Sequence, residues 1–146
     1  RSALIADDDR LVREMLAESL KRHGFDSTPV EDGASAFRAL TGTRFDLAFI
    51  DLHMPGIDGV ELLRLLRARG DTGRFIVVSG SQDMRLVVSA VKLGASDYLP
   101  KPFSDEDVAA ALARVYGAAP DPTETAQAMG PAGSPAERRP SSTEPT

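Results

Sequence analysis

The chain has 146 residues, 42% of them apolar, with no cysteine, two histidines and a formal charge of -5. That length suits one domain with a single core and an appendage, and the missing cysteines exclude disulfide staples, thiolate nucleophiles and cysteine-ligated zinc. Acids and bases are interleaved, which argues against a nucleic-acid surface within the chain; no apolar run nears the roughly 20 residues of a membrane span, and "RSALIADDD" reaches acid too soon for a signal peptide, so a cytoplasmic protein is expected.

From Ala3 to about Gly117, short β-type runs alternate with segments of helical period. "ALIA" opens the series and leads into a first helix whose apolar stripe is Leu11, Val12, Met15, Leu16 and Leu20, stopped by Gly24 behind Lys21, Arg22 and His23. "DSTPV" follows, polar and carrying Pro29, which cannot donate to a central ladder and so predicts an edge strand. Gly33 to Thr41 reads as the second helix. "DLAFI" is apolar on both faces, as a central parallel strand covered by two helical layers should be. Asp58 to Arg69 is the third helix, "RFIVVS" a second central strand, Asp83 to Leu93 the fourth helix, "DYL" the last strand and Ser104 to Tyr116 the fifth helix. This rhythm predicts an α/β fold with a doubly wound five-stranded parallel sheet, order 2-1-3-4-5, flavodoxin-like, with helices on both faces.

Residues 1–117 are therefore expected to form the domain. Residues 118–146, "AAPDPTETAQAMGPAGSPAERRPSSTEPT", hold six of the ten prolines and almost nothing bulky and apolar. Such a composition cannot offset the entropy of ordering, so a disordered linker or tail is expected. The abrupt end after it, and the absence of an initiator methionine, raise the expectation of a trimmed fragment from which an effector domain has been cut away.

In the predicted strand order, the residues closing strands 1, 3, 4 and 5 converge on one crevice at the switch point: Asp7 and Asp8, then Asp51, then Ser79, then Lys101. Three carboxylates packed together repel one another and recruit a hard, oxygen-preferring cation, for which Mg²⁺ is the expected ion. The set suits phosphoryl transfer. Asp51 is the candidate nucleophile forming an aspartyl phosphate, Asp7 and Asp8 the metal ligands, Lys101 the ion-pair partner of the phosphoryl group and Ser79 its hydrogen-bond donor. Each has an ordinary alternative: an N-cap for the first helix, a strand-end turn, a strand-to-loop junction, a solvated lysine. Those alternatives would all have to coincide at the carboxyl ends of four strands.

"LIADDD", "FIDLHMPGIDG", "VVSGS" and "DYLPKPF", in that order and spacing, resemble the signature segments of bacterial two-component response-regulator receiver domains. The resemblance covers about Ala3 to Tyr116. It implies a signalling switch phosphorylated on aspartate by a sensor histidine kinase or phosphotransfer protein with Mg²⁺, its output a changed binding surface, and no enzyme beyond catalysis of its own phosphorylation and dephosphorylation. By resemblance, Asp51 is the phosphoacceptor, Asp7 and Asp8 the acidic pair, the backbone carbonyl of His53 a further metal ligand, Ser79 the switch hydroxyl, Lys101 the conserved-type lysine and Tyr98 the aromatic switch residue. Lys101-Pro102 resembles a cis peptide of the family, and Gly56 and Gly59 match its turn after the acceptor strand. His53 and Ser81, two residues beyond Asp51 and Ser79, stand where side chains tune the lifetime of the phosphoryl group.

The fourth helix carries Met84, Val87, Val88 and Val91 on one face with Leu86 and Leu93 beyond it. This apolar surplus suggests a homodimer or effector contact through the fourth helix, fifth strand and fifth helix, with burial under a neighbouring helix as the alternative. Rival functions are a Mg²⁺ phosphatase of the haloacid dehalogenase type and a phosphorylation-independent receiver-like scaffold. The phosphatase class places a second aspartate two residues after its nucleophile, where this chain has His53. Flavodoxin itself is disfavoured by the acidic loop after strand 1, where a flavin phosphate wants backbone donors and hydroxyls.

Overall fold

The computed structural model describes residues 1–80 and 84–117. Five strands alternate with five helices: β1 (Ser2–Ala6), α1 (Arg10–Arg22), β2 (Asp26–Val30), α2 (Gly33–Gly42), β3 (Leu47–Asp51), α3 (Gly59–Ala68), β4 (Phe75–Ser79), α4 (Met84–Lys92), β5 (Asp97–Pro100) and α5 (Asp105–Tyr116). All pairings are parallel and the strand order is β2-β1-β3-β4-β5, the expected doubly wound arrangement. Contacts divide the chain into a unit Arg1–Ala111 and a unit Leu112–Thr146. The described part of the second unit is the last turn and a half of α5 with Gly117. The predicted linker at 118–146, and Ser81 and Asp83 with it, lie outside the described residues.

The central strands β3 and β4 are buried at every position, whereas β2 is largely exposed and lies at the edge, with Pro29 opposite Ile5. β5 forms the other edge and ends in Pro100. Alternate side chains go to opposite faces of a strand. Leu4, Ala6, Ala48, Ile50, Phe75 and Val77 thus share one face, closed by Ala36 of α2, Leu62, Leu63 and Leu66 of α3, and Val87 and Ala90 of α4. The intervening Ile5, Phe49 and Ile76 face the other way and are fully buried. Each such side chain contributes roughly 1.5–3 kcal/mol by leaving water.

Two helices depart from their predicted faces. Only Leu16 and Leu20 of the α1 stripe are buried, while Leu11 is 68% and Met15 51% exposed. Leu11 and Met15 lie on the outer edge of the stripe, while Val12, Leu16 and Leu20 turn inward. In α4 the core side is carried by Val87 and Ala90, with Leu86 and Leu93 partly buried, and Met84, Val88 and Val91 stay exposed. Helix starts obey local chemistry: Asp9, Asp32 and Asp58 are N-caps, accepting from the backbone N–H of Leu11, Ser35 and Glu61.

Candidate functional site

Register places the acids. Ala6 lies opposite Ile50, so the next residues, Asp7 and Asp51, leave neighbouring strands side by side. Ser79 lies opposite Pro100, which brings Lys101 to the same end of the sheet. The Lys101 N–H donates to the Ser79 carbonyl at 2.9 Å, and the Lys101-Pro102 bond is cis, as the resemblance implied.

Asp7, Asp51 and Ser79 are buried polar residues, at 1%, 3% and 1% exposure, while Asp8 is exposed. One ammonium serves both buried acids: Lys101 Nζ lies 2.9 Å from Asp7 Oδ2 and 3.5 Å from Asp51 Oδ2. Asp7 Oδ1 accepts from the Asp9 N–H at 2.8 Å and Asp51 Oδ1 from the His53 N–H at 3.2 Å. Asp7 Oδ2 is buried and has the Lys101 ammonium as its ion-pair partner.

Burial pushes the Asp51 carboxyl up to about 6, with the negative charges of Asp7 and Asp8 adding to the rise and the His53 N–H and Lys101 opposing it. For Lys101, burial disfavours the charge, but Asp7 and Asp51 together outweigh it and hold the ammonium above its ordinary value. At neutral pH the crevice therefore contains a deprotonated Asp51 under electrostatic pressure, facing a firmly protonated lysine.

The residues present fit a hard divalent cation. Oxygens of Asp7, Asp8 and Asp51 lie within 4.8 Å of one another, all from carboxylates, two of them buried and one exposed. Oxygen-only donors of this kind suit Mg²⁺. His53 extends its side chain to the exposed surface and uses its N–H on Asp51. Tyr98 on β5 is half-buried and packs partly against the core. Ser81 lies outside the described residues.

Three further contacts support the site, of which the sequence offered only the N-cap of the first helix. Arg13 Nη1 donates to the Asp7 carbonyl at 2.8 Å, so the first helix clamps the acidic loop from beneath. Asp9, third of the acidic run, holds α1 instead of a metal, by capping Leu11. Gly59 was expected only as a turn residue. A Cβ there would overlap the backbone of Asp51 and Leu52, so the start of α3 presses directly on the end of β3. The acid just ahead of a helical period signalled the Asp9 cap; nothing local signals the reach of Arg13 to Asp7 or the contact at Gly59.

With this geometry established, the comparisons with known proteins converge. Residues 3–113 match the model of the response regulator receiver domain. The chain is 38% identical over 109 residues to the response regulator MprA of Mycobacterium sp. strain KMS, covering 75% of this chain and 47% of that one, and equally so to the MprA of Mycobacterium ulcerans strain Agy99. It thus spans about half the length of the curated relatives it matches. Among solved structures, the receiver domain of the Francisella response regulator 1452 superposes with a TM-score of 0.72 at 28% identity, covering 81% of this chain and 98% of that one. The Thermotoga maritima response regulator TrrA, in complex with Mg²⁺-BeF, gives 0.71 at 25% identity, covering 79% and 98%.

Proposed function

The chain belongs to the response regulator receiver domain family, and from that premise we propose that it is a two-component switch that accepts a phosphoryl group on Asp51. The observation that carries the assignment is the single Lys101 ammonium poised between Asp7 at 2.9 Å and Asp51 at 3.5 Å in a buried crevice. The donor would be a phosphohistidine of a sensor kinase or phosphotransfer protein, which points to the cytoplasm as the place of action. The phosphatase alternative gains no support from the comparisons.

In this reading an Asp51 oxygen attacks phosphorus, a P–O bond forms, the P–N bond of the donor breaks, and the imidazole nitrogen keeps the electron pair. The Asp51 carboxyl, pushed up to about 6 by burial in the metal-free crevice, is mostly anionic at neutral pH, the form that attacks. Lys101 neutralises charge on the transferring group, and the Ser79 hydroxyl donates to one of its oxygens. Asp7, Asp8, Asp51 and the His53 carbonyl would hold Mg²⁺, which when bound supplies charge neutralisation for the acids and the phosphoryl oxygens. Loss of the phosphoryl group is the attack of water on phosphorus with return of the Asp51 carboxylate. His53 and Ser81 would set how readily that water arrives.

The output would be a change in the loops after β3 and β4 and in Tyr98, read by an effector or a second copy at α4, β5 and α5, where Met84, Val88 and Val91 stand exposed. The direct test supplies a small-molecule phosphodonor with Mg²⁺ and follows intact mass. One phosphoryl group should add to the wild type and none to Asp51→Asn. No gain, or an equal gain in both, defeats the assignment.

A further inference from the structure

Arg67, near the end of α3, is half-buried, and among the described residues no carboxylate pairs with it. Its guanidinium is spent on carbonyls. Nε donates to Leu93 O at 2.7 Å and Nη2 to Gly94 O at 2.8 Å, the two residues after the last helical residues of α4. Nη1 donates to Asp71 O at 2.6 Å and Nη2 reaches Gly73 O at 3.3 Å, both in the segment leading into β4. The guanidinium carbon also lies 4.7 Å from the centre of the Phe75 ring, at the start of β4.

Carbonyls at a helix carboxyl end have no intrahelical donors and carry the negative end of the helix dipole, so a cation there is doubly favourable. Gly94 makes the arrangement possible on two counts. It takes a φ of 93°, and a Cβ on it would lie 3.1 Å from Arg67 Nη2, in the space the guanidinium fills. One planar cation thus rivets the far end of α4 to α3 and to the root of β4. The near end of α4 follows in sequence from Ser79, the proposed switch hydroxyl.

We propose that Arg67 is a positioning residue that fixes the carboxyl end of α4 as a pivot, so that loading of the Asp51 site swings the amino end of the helix. This rests on the switch reading above. Moving the carboxyl end would break charge-assisted bonds to Leu93 and Gly94, whereas moving the amino end disturbs none of them. The exposed side chain of Met84 then travels most, and Val91, beside the pivot, least.

The test is hydrogen exchange of the full chain, free and with Mg²⁺ plus beryllium fluoride, read separately over residues 84–90 and 91–97. In the wild type the change on loading should be confined to 84–90. In Arg67→Met, which keeps the stem over Phe75 but loses the donors, the change should spread to 91–97 with a several-fold difference in exchange rate between free and loaded protein. Arg67→Lys, which retains one donor group, should fall between the two and serves if the Met variant does not fold. Equal acceleration of 91–97 in the free and loaded variant, leaving the loading difference where it was, would mean a purely structural residue and overturn the pivot. A wild type in which 91–97 responds as much as 84–90 overturns it as well. No response anywhere in the wild type overturns the pivot together with the switch reading, and the phosphoryl-mass experiment tells those failures apart.

Discussion

Asp51→Asn should make the metal-free protein more stable at neutral pH. The carboxyl rises from 3.8 to about 6 on folding, chiefly through burial, and at 1.36 kcal/mol per tenfold change in proton affinity this amounts to about 3 kcal/mol. The sign follows from linkage: a group that binds its proton more tightly when folded favours the fold below its unfolded value of 3.8, and that contribution is lost as pH rises through about 6. Asparagine carries no charge to desolvate and can still accept the His53 N–H. Urea or thermal unfolding with a chelator present, between about pH 4 and about pH 8, should show the variant ahead by about 3 kcal/mol, or about 10 °C, at the alkaline end and level at the acid end. Added Mg²⁺ should narrow the gap by stabilising only the wild type. Equal stabilities at neutral pH, or a gap that widens on acidification, would refute the claim that the crevice strains its own nucleophile.

Lys101→Met leaves Asp7 and Asp51 without the ammonium they share, so the metal-free protein should lose about 3 kcal/mol in urea unfolding, and phosphorylation of Asp51 followed by mass should slow at least about tenfold. Gly59→Ala forces a methyl into the backbone of Asp51 and Leu52; a cost of about 1–3 kcal/mol in unfolding and weaker Mg²⁺ binding by calorimetry are expected. His53→Ala should still be phosphorylated but should change the rate at which the phosphoryl group decays, since its exposed side chain borders the site; unchanged decay removes it as a lifetime determinant.

Much of the fold could be read from local chemistry because its strands have unmixed environments. "DLAFI" and "FIVVS" are apolar on both faces and proved buried throughout, and Pro29 marked β2 as an edge. The acids, the hydroxyl and the lysine could be brought together on paper because strand order converts sequence positions into neighbours. Contacts made by long side chains to distant carbonyls were not legible. Arg67 bonds to Leu93 and Gly94 across 26 and 27 residues, and a basic residue in "LLRLLRARG" looks like any solvated one. The exposure of Leu11 and Met15 escaped for a related reason: periodicity reports which face of a helix is apolar, but not how wide a strip of that face its neighbours cover.

Both outermost strands carry a proline, Pro29 in β2 and Pro100 at the end of β5. The Asp26 N–H donates to Arg1 O, and alternation turns the nitrogen of Pro29 to the open side of β2, so that rim presents an interrupted row of donors to any strand approaching from another molecule; Pro100 instead faces β4, where the Lys101 N–H takes the Ser79 carbonyl in its place. Crowded copies are thereby discouraged from extending the sheet past β2 into fibrous stacks, and lasting self-association is left to the opposite rim, where α4 and β5 lie.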